Sequence, residues 1–317
     1  MIHFFKLIRP VNLLIIAATM YSIGGYLDVV YAPFHEDKLL VKTFDFFLLV
    51  ISTVMIAAAG NIINDYFDVR ADRINRPDKT IISKFIKRRW AIVFHWILNF
   101  IAFGIAIYLG LINDTFWYVF IHLLSINFLW FYSMQLKRTL VIGNVVIALL
   151  TALVPILVGI YYQDIFRTIL LDQVFPFHLD AYTLFPIYLG FGLGVFAFVL
   201  NWVREIVKDM EDVKGDLVLK ARTIPIVYGL SKARLVAIIF VIISMALSIP
   251  ILLFWQNGFI DGVALLPLLF SAVSATISLV LLLQKVTPNR LRKINYSLKL
   301  TMVFGMFLPI YWLLLII

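Results

Sequence analysis

Residues 44 to 76 read FDFFLLVISTVMIAAAGNIINDYFDVRADRINR. After Asp45 no charged residue occurs until Asp65. A helix needs about 20 such residues, at about 1.5 Å each, to cross a hydrocarbon layer about 30 Å thick. The run then turns acidic, with Asp65, Asp68 and Asp72 following one another closely. This stretch decides the reading of the chain: a helical membrane protein whose polar chemistry gathers at one face of the bilayer.

The composition agrees. Of 317 residues, 63% are hydrophobic and only 14% charged, against about 25% charged in a soluble domain. Apolar windows near 11–31, 44–64, 90–111, 115–134, 142–162, 183–206, 233–255, 262–284 and 296–317 predict nine transmembrane helices. The expected fold is therefore an all-α multi-pass bundle, a single domain over residues 1–317 with Asp-rich cytoplasmic loops. Lys6 and Arg9 could open a secretory signal, but the apolar character continues from there through Tyr26 to Val30. That exceeds a signal's apolar region, so the first span is read as retained. Gln163 to Ala181 mixes Phe166, Leu170, Leu171 and Phe175 with Asp164, Asp172 and Asp180, which predicts an interfacial helix. With no cysteine, disulfides, zinc–thiolate sites, iron–sulfur clusters and a cysteine nucleophile are excluded.

The formal net charge is +9. Under the nine-span reading, 23 of the 27 Lys and Arg residues fall in the N-terminal segment and the loops after even-numbered spans, while Lys38, Lys42 and Arg167 alone fall opposite. Positively charged loops stay in the cytoplasm. The N-terminus and the acidic loops are thus expected there, with the C-terminus outside. The positive excess is a topology signal, and no nucleic-acid partner is expected.

A second acidic segment runs from Arg204 through Glu205, Lys208, Asp209, Glu211, Asp212 and Lys214 to Asp216. Asp209, Asp212 and Asp216 repeat the i, i+3, i+7 spacing of Asp65, Asp68 and Asp72. On a helix these offsets share one face. Three carboxylates facing one way repel unless a cation sits among them, and a hard divalent ion suits all-oxygen donors. Mg²⁺ takes one or two carboxylates plus substrate phosphate oxygens and water. The repeat also hints at an internal duplication relating spans two and six. Arg70, Arg73, Arg76, Lys79, Lys208, Lys214 and Arg222 are interleaved with the acids. They are more than counter-ions need be and suit the phosphate oxygens of a diphosphate. A diphosphate held at the membrane face with its carbon tail in the bundle belongs to an isoprenoid or a similar lipid. Aromatic faces such as Phe67, Phe128, Phe131, Phe196 and Phe198 near the acidic ends could stabilise an allylic carbocation.

With these residues the chain resembles the UbiA family of intramembrane prenyltransferases. Asn64-Asp65, Asp68, Asp72 and Asn75-Arg76-Pro77 match its first motif, and Asp209, Asp212 and Asp216 match its second. The resemblance implies transfer of a prenyl group from a prenyl diphosphate to a lipophilic acceptor with Mg²⁺ held by both motifs. It implies Asn64, Asp68, Asp72, Asp212 and Asp216 as the main ligands, with Asp65 and Asp209 supporting. It further implies that Arg9, with Asn12 in the Arg9-Pro10-x-Asn12 opening, approaches the acceptor. Arg76, Lys79, Lys208 and Arg222 would bind substrate. Within the family the second segment is most similar to the branch adding geranylgeranyl to geranylgeranylglyceryl phosphate, an ether-lipid precursor. The chain departs from the family in two places. Thr80 to Lys84 replaces a Pro-Ser-Gly turn, and a Tyr-x-x-x-Lys motif is present only as Tyr132 with Lys137, one residue too far apart.

Three rival readings remain at this point: a quinone-pathway aromatic prenyltransferase, a CDP-alcohol phosphotransferase and an ion-coupled transporter. The second would require a D-G-x-x-A-R signature, which the chain lacks. A transporter would place its carboxylates at mid-span beside broken helices. His3, His35, His95, His122 and His178 lie away from both acidic segments in sequence. None of them is well placed as a general base.

The loop charge count generates a topology prediction. A reporter fused at the C-terminus should be extracytoplasmic and one inserted between Lys285 and Lys293 cytoplasmic. Finding both on one side would refute nine spans.

Overall fold

The computed structural model describes residues 2–31, 40–75, 77, 80–172, 185–249, 252, 256 and 265–316. Among these the regular structure is helical, apart from an isolated bridge between Ile82 and Ile86. The helices are α1 (Ile2–Ile8), α2 (Pro10–Tyr31), α3 (Phe44–Asn75), α4 (Arg88–Ile112), α5 (Trp117–Met134) and α6 (Ile142–Asp172). They continue with α7 (Phe185–Val218), α8 (Ile224–Tyr228), α9 (Leu230–Ala246), α10 (Leu266–Leu283) and α11 (Pro288–Ile316). Helices dominate because hydrocarbon offers no water to hydrogen-bond an open backbone, so each crossing segment satisfies its own N–H and C=O groups.

Among the described residues, seven helices are long and apolar enough to cross a membrane: α2, α3, α4, α5, α6, α7 and α10. The remaining two predicted spans correspond to α9 and α11, which are not among the seven. α9 ends after 17 residues, and most of 247–264 beyond Ile249 lies outside the described residues.

The structure corrects the expectation of Asp-rich loops. Asp65 to Asp72 are the last turns of α3, and Asp209 to Asp216 the last turns of α7. At 32 and 34 residues these helices are about 48 and 51 Å long. A hydrocarbon core is about 30 Å thick. The surplus of each helix, at its C-terminal end, is its acidic segment. Of the segment expected to form an interfacial helix, Gln163 to Asp172 is helical as the continuation of α6, and residues 173–181 lie outside the described residues.

The chain divides into two compact units, Met1–Leu136 with Leu153–Gly194, and Lys137–Ala152 with Val195–Ile317. The first unit packs around Met20, Phe46, Leu49, Tyr118, Tyr161 and Tyr162, all buried. In the second, Leu200, Val203, Ile206, Ala233, Ala237, Leu282 and Leu298 form the core. There α10 and α11 approach through small hydroxyl residues: the Ser271 hydroxyl donates to the Thr301 carbonyl at 3.1 Å and that of Ser297 to the Ser274 carbonyl at 2.7 Å. In lipid, helices associate by such close packing and hydrogen bonding, since apolar side chains gain little by leaving hydrocarbon.

The first unit makes a similar approach with glycines. A Cβ at Gly159 of α6 would lie 2.5 Å from the Pro186 carbonyl oxygen of α7, and one at Gly190 would lie 2.8 Å from that of Pro155. Backbone cannot yield as a flexible side chain can. Gly159→Val should therefore destabilise the protein by at least the about 1–3 kcal/mol typical of overpacking. Gly192→Val, where no neighbour stands within 4 Å, should not. Melting of both variants in detergent checks this, and an equal melting temperature for the two would refute the close approach.

Candidate active site

In the first unit the acidic end of α3 is tied to the corner between α1 and α2. The Asn61 side-chain amide donates to the Ile8 carbonyl at 2.9 Å. One turn further on, Asp65 forms a hydrogen-bonded ion pair with Arg9. Arg9 makes the corner itself, with a positive φ of 56°. A non-glycine residue in that region is strained by about 1–3 kcal/mol and is held there by its surroundings. Burial works against the Arg9 charge, but Asp65, then Asp72 and Asp68, outweigh it, so its pKa stands above the ordinary arginine value. Arg9 is thus a permanent cation among three carboxylates.

The neighbouring groups are ordered as well. The Asn64 amide donates to Asp68 Oδ2 at 2.9 Å, and Asp68 is only 5% exposed. Asp65 and Asp72 are partly exposed, while Arg70 and Arg73 face outward. The Arg88 guanidinium lies 4.4 Å from the Tyr66 ring centre, and Phe67 meets Trp130 edge-on at 5.9 Å.

In the second unit the first aspartate of the triple is held from another helix. Asn144, in the first turn of α6, donates to Asp209 Oδ2 at 2.9 Å, and both side chains are buried. Further back along α7, Asn201 donates to Thr151 Oγ at 2.9 Å and accepts from Arg204 at 3.0 Å. Lys208 pairs with buried Glu205 at 3.4 Å, and Arg292 with Glu211 at 3.3 Å. Asp212 is partly exposed and Asp216 buried. The turn after α7 passes through Lys220 at φ 54°, and the Arg222 amide then donates to the Arg138 carbonyl at 2.8 Å. This brings the segment of Arg222, a predicted substrate residue, beside the segment of Lys137, a predicted catalytic one, although the two lie far apart in sequence.

The structure therefore places Asp65, Asp68 and Asp72 with Asn64 and Arg9 on one helical end. It places Asp209, Asp212 and Asp216 with Lys208, Lys137 and Arg222 in the second unit. Asn12 sits in the first turn of α2, its amide bonded to the Arg9 carbonyl at 2.9 Å. Tyr132 is buried near the end of α5. Arg76 and Lys79 lie outside the described residues. Sequence reasoning missed Asn61 and Asn144: each is a lone amide inside or at the start of an apolar run, and no spacing marks it. His95 and His122 are buried and occupied, His95 by the Ala59 carbonyl at 3.0 Å and His122 by Ser52 at 2.9 Å.

Among the described residues, no three or more His, Cys, Asp or Glu side chains stand close enough to hold a metal ion by themselves. The donors are carboxylates and an amide, all oxygen ligands. That set fits a hard cation which takes few protein ligands and completes its shell with substrate oxygens.

The model of the UbiA prenyltransferase family matches residues 29–303. This chain belongs to that family. A digeranylgeranylglyceryl phosphate synthase of Methanosphaera stadtmanae is 30% identical over 95% of this chain and 96% of its own. A solved structure described by its work on digeranylgeranylglyceryl phosphate synthase in membranes is 25% identical, with a TM-score of 0.61 over 97% of this chain and 96% of that one. A UbiA homologue from Archaeoglobus fulgidus, bound to GPP and Mg²⁺, shares the fold at 15% identity, with a TM-score of 0.53 over 96% of this chain and 99% of that one.

The buried pairing of Asp209 yields a stability prediction. Asn144→Ala leaves a buried carboxylate without this donor, which costs about 1–3 kcal/mol. Asn127→Ala, which removes only an exposed bond to the Leu123 carbonyl, should be near neutral. Comparative thermal unfolding in detergent measures both, and equal stability of the two variants would refute the assigned pairing.

Proposed function

We propose that this chain transfers a geranylgeranyl group from its diphosphate to geranylgeranylglyceryl phosphate in ether-lipid synthesis. The observation that carries the reading is the nearly full-length match, at 30% identity, to a protein named digeranylgeranylglyceryl phosphate synthase. The two aspartate triples support the chemistry, and the family membership supports the reaction class.

In this reading Asn64, Asp68 and Asp72 of the first unit, and Asp212 and Asp216 of the second, would be the ligands for Mg²⁺. When bound, Mg²⁺ would neutralise the charge that grows on the leaving diphosphate, the largest stabilising effect open to such a site. Asp65 and Asp209 support these ligands from their anchored positions. Arg76, Lys79 and Lys208 add cations for phosphate oxygens, Arg9 approaches the acceptor, and Asn12 and Tyr132 line the substrate site. The apolar helices keep water from the allylic cation. The bond from the allylic carbon to the diphosphate oxygen breaks, the acceptor hydroxyl oxygen bonds to that carbon, and the hydroxyl proton is released. Lys137 and Arg222, whose segments meet through the Arg222 amide and the Arg138 carbonyl, supply positive charge for the acceptor's own phosphate. The whole chain acts as one domain of nine spans, with the N-terminus and both acidic ends cytoplasmic and the C-terminus outside. A cytoplasmic site suits two phosphorylated substrates.

Two outcomes follow. Asp68→Ala and Asp212→Ala should each abolish transfer while the protein still inserts, and chelation of divalent metal should abolish transfer by the unmodified chain. Full turnover by either variant, or by the chain in excess chelator, would overturn the metal assignment. The purified chain should prenylate the phosphorylated glyceryl ether but not 4-hydroxybenzoate or a dihydroxynaphthoate. Comparable kcat/KM on an aromatic acceptor would leave the prenyltransferase class standing and remove the ether-lipid assignment.

A further inference from the structure

The first unit carries a basic and aromatic surface that the proposed reaction does not use. Three segments build it: α1, the turn at 81–86 and the opening of α4. Leu7 of α1 is fully buried in a cluster with Ile62, Val69, Ile82 and Ala91. His3 stacks on Phe85 at 3.9 Å, and Phe4 meets Phe94 edge-on at 4.8 Å. The turn is closed by the Ser83 amide on the Ile86 carbonyl at 2.8 Å, with Ser83 at φ 69°. These contacts make the surface a fixed platform.

Its exposed residues are of two kinds. Phe5, Phe85 and Trp90 are 58%, 53% and 49% exposed, and Val11 and Leu14 on the adjoining turns of α2 are 67% and 69% exposed. Among them stand the exposed cations Lys6, Lys84, Lys87 and Arg89. None of the four makes an ion pair with a described residue. The sequence has no Asp or Glu before Asp28, nor from Thr80 to Asn113. Both α2 and α4 begin their apolar runs here, so the platform lies at the level where a span enters the bilayer. Tryptophan favours that level, phenylalanine and leucine of interfacial segments enter the acyl boundary there, and a cluster of cations beside a span attracts anionic headgroups.

We infer that α1 and the 81–90 segment form an interfacial platform that selects anionic lipid headgroups of the surrounding bilayer. Two features point to a bilayer lipid rather than a soluble phosphate. Among the described residues no carboxylate pairs with these cations, and the aromatics beside them need an acyl region to enter. Positive-inside topology alone would explain the charges but predicts no selectivity among lipids. The inference is independent of the acceptor's identity, so its failure leaves the proposed reaction untouched.

The absence of native cysteine permits a direct test on the full chain. Ser83→Cys, labelled with a fluorophore, is reconstituted in phosphatidylcholine vesicles doped with spin-labelled phosphatidylglycerol or spin-labelled phosphatidylcholine. At low salt the phosphatidylglycerol label should quench at a mole fraction about fivefold lower or less, as a single effective cation near an anionic surface provides. The preference should collapse near 1 M salt, where the screening length falls to about 3 Å. It should also collapse in Lys6→Gln/Lys84→Gln/Lys87→Gln/Arg89→Gln at low salt. Equal quenching by the two lipids in the chain with its cations, or a preference indifferent to salt, would overturn the inference. So would loss of the preference on adding inorganic pyrophosphate at constant ionic strength, since the cations would then be taken by a soluble anion.

Discussion

A carboxylate taken out of water costs several kcal/mol unless a cation or hydrogen-bond donor takes the place of the water. Repulsion between like charges along an exposed helix face is weaker, about 0.2–0.5 kcal/mol per pair. Burial therefore decides how the acidic ends of α3 and α7 have to be built. Asp68, Asp209 and Asp216 are all buried, and the turns that carry them are held by side chains from other segments. Arg9 takes Asp65 from the corner before α2, and Asn144 takes Asp209 from the first turn of α6. In both units the first aspartate of the triple is matched by a residue at the start of the helix preceding the acidic one.

Helix length serves the same arrangement. A span needs about 20 residues, and α3 and α7 have 32 and 34. Carrying the surplus as continuous helix keeps the i, i+3, i+7 offsets on one face, which a loop would not do. It also keeps the backbone hydrogen bonds of the acidic turns satisfied internally, leaving the carboxylates to interact with cations.

Other polar residues of the first unit serve packing. Asp28, 1% exposed, accepts from the Tyr162 hydroxyl at 2.9 Å and the Leu40 amide at 3.0 Å. Ser52 and His122 meet at 2.9 Å inside the bundle. In sequence Asp28 and His122 are solitary polar residues in apolar runs, and Ser52 stands beside only Thr53. Their partners lie up to 134 positions away, so only the folded chain shows that they are satisfied.

Membrane class, helix type and the placement of seven spans were legible in the sequence, because crossing hydrocarbon imposes a length and a polarity that each segment carries by itself. The two triples were legible for a similar reason: an i, i+3, i+7 spacing is a local property of one helix. The clusters nevertheless read as loops in sequence, since charge density marks the end of a membrane run but not the end of a helix. Tertiary structure alone decided that α3 and α7 continue through their acids, that Asn61 and Asn144 anchor them, that the segment of Arg222 comes beside that of Lys137, and that Gly159 and Gly190 let two backbones touch. Each of these depends on which distant segment arrives at a given turn. Such encounters are set by packing and by the satisfaction of buried polar groups, and they leave no periodic mark on the chain.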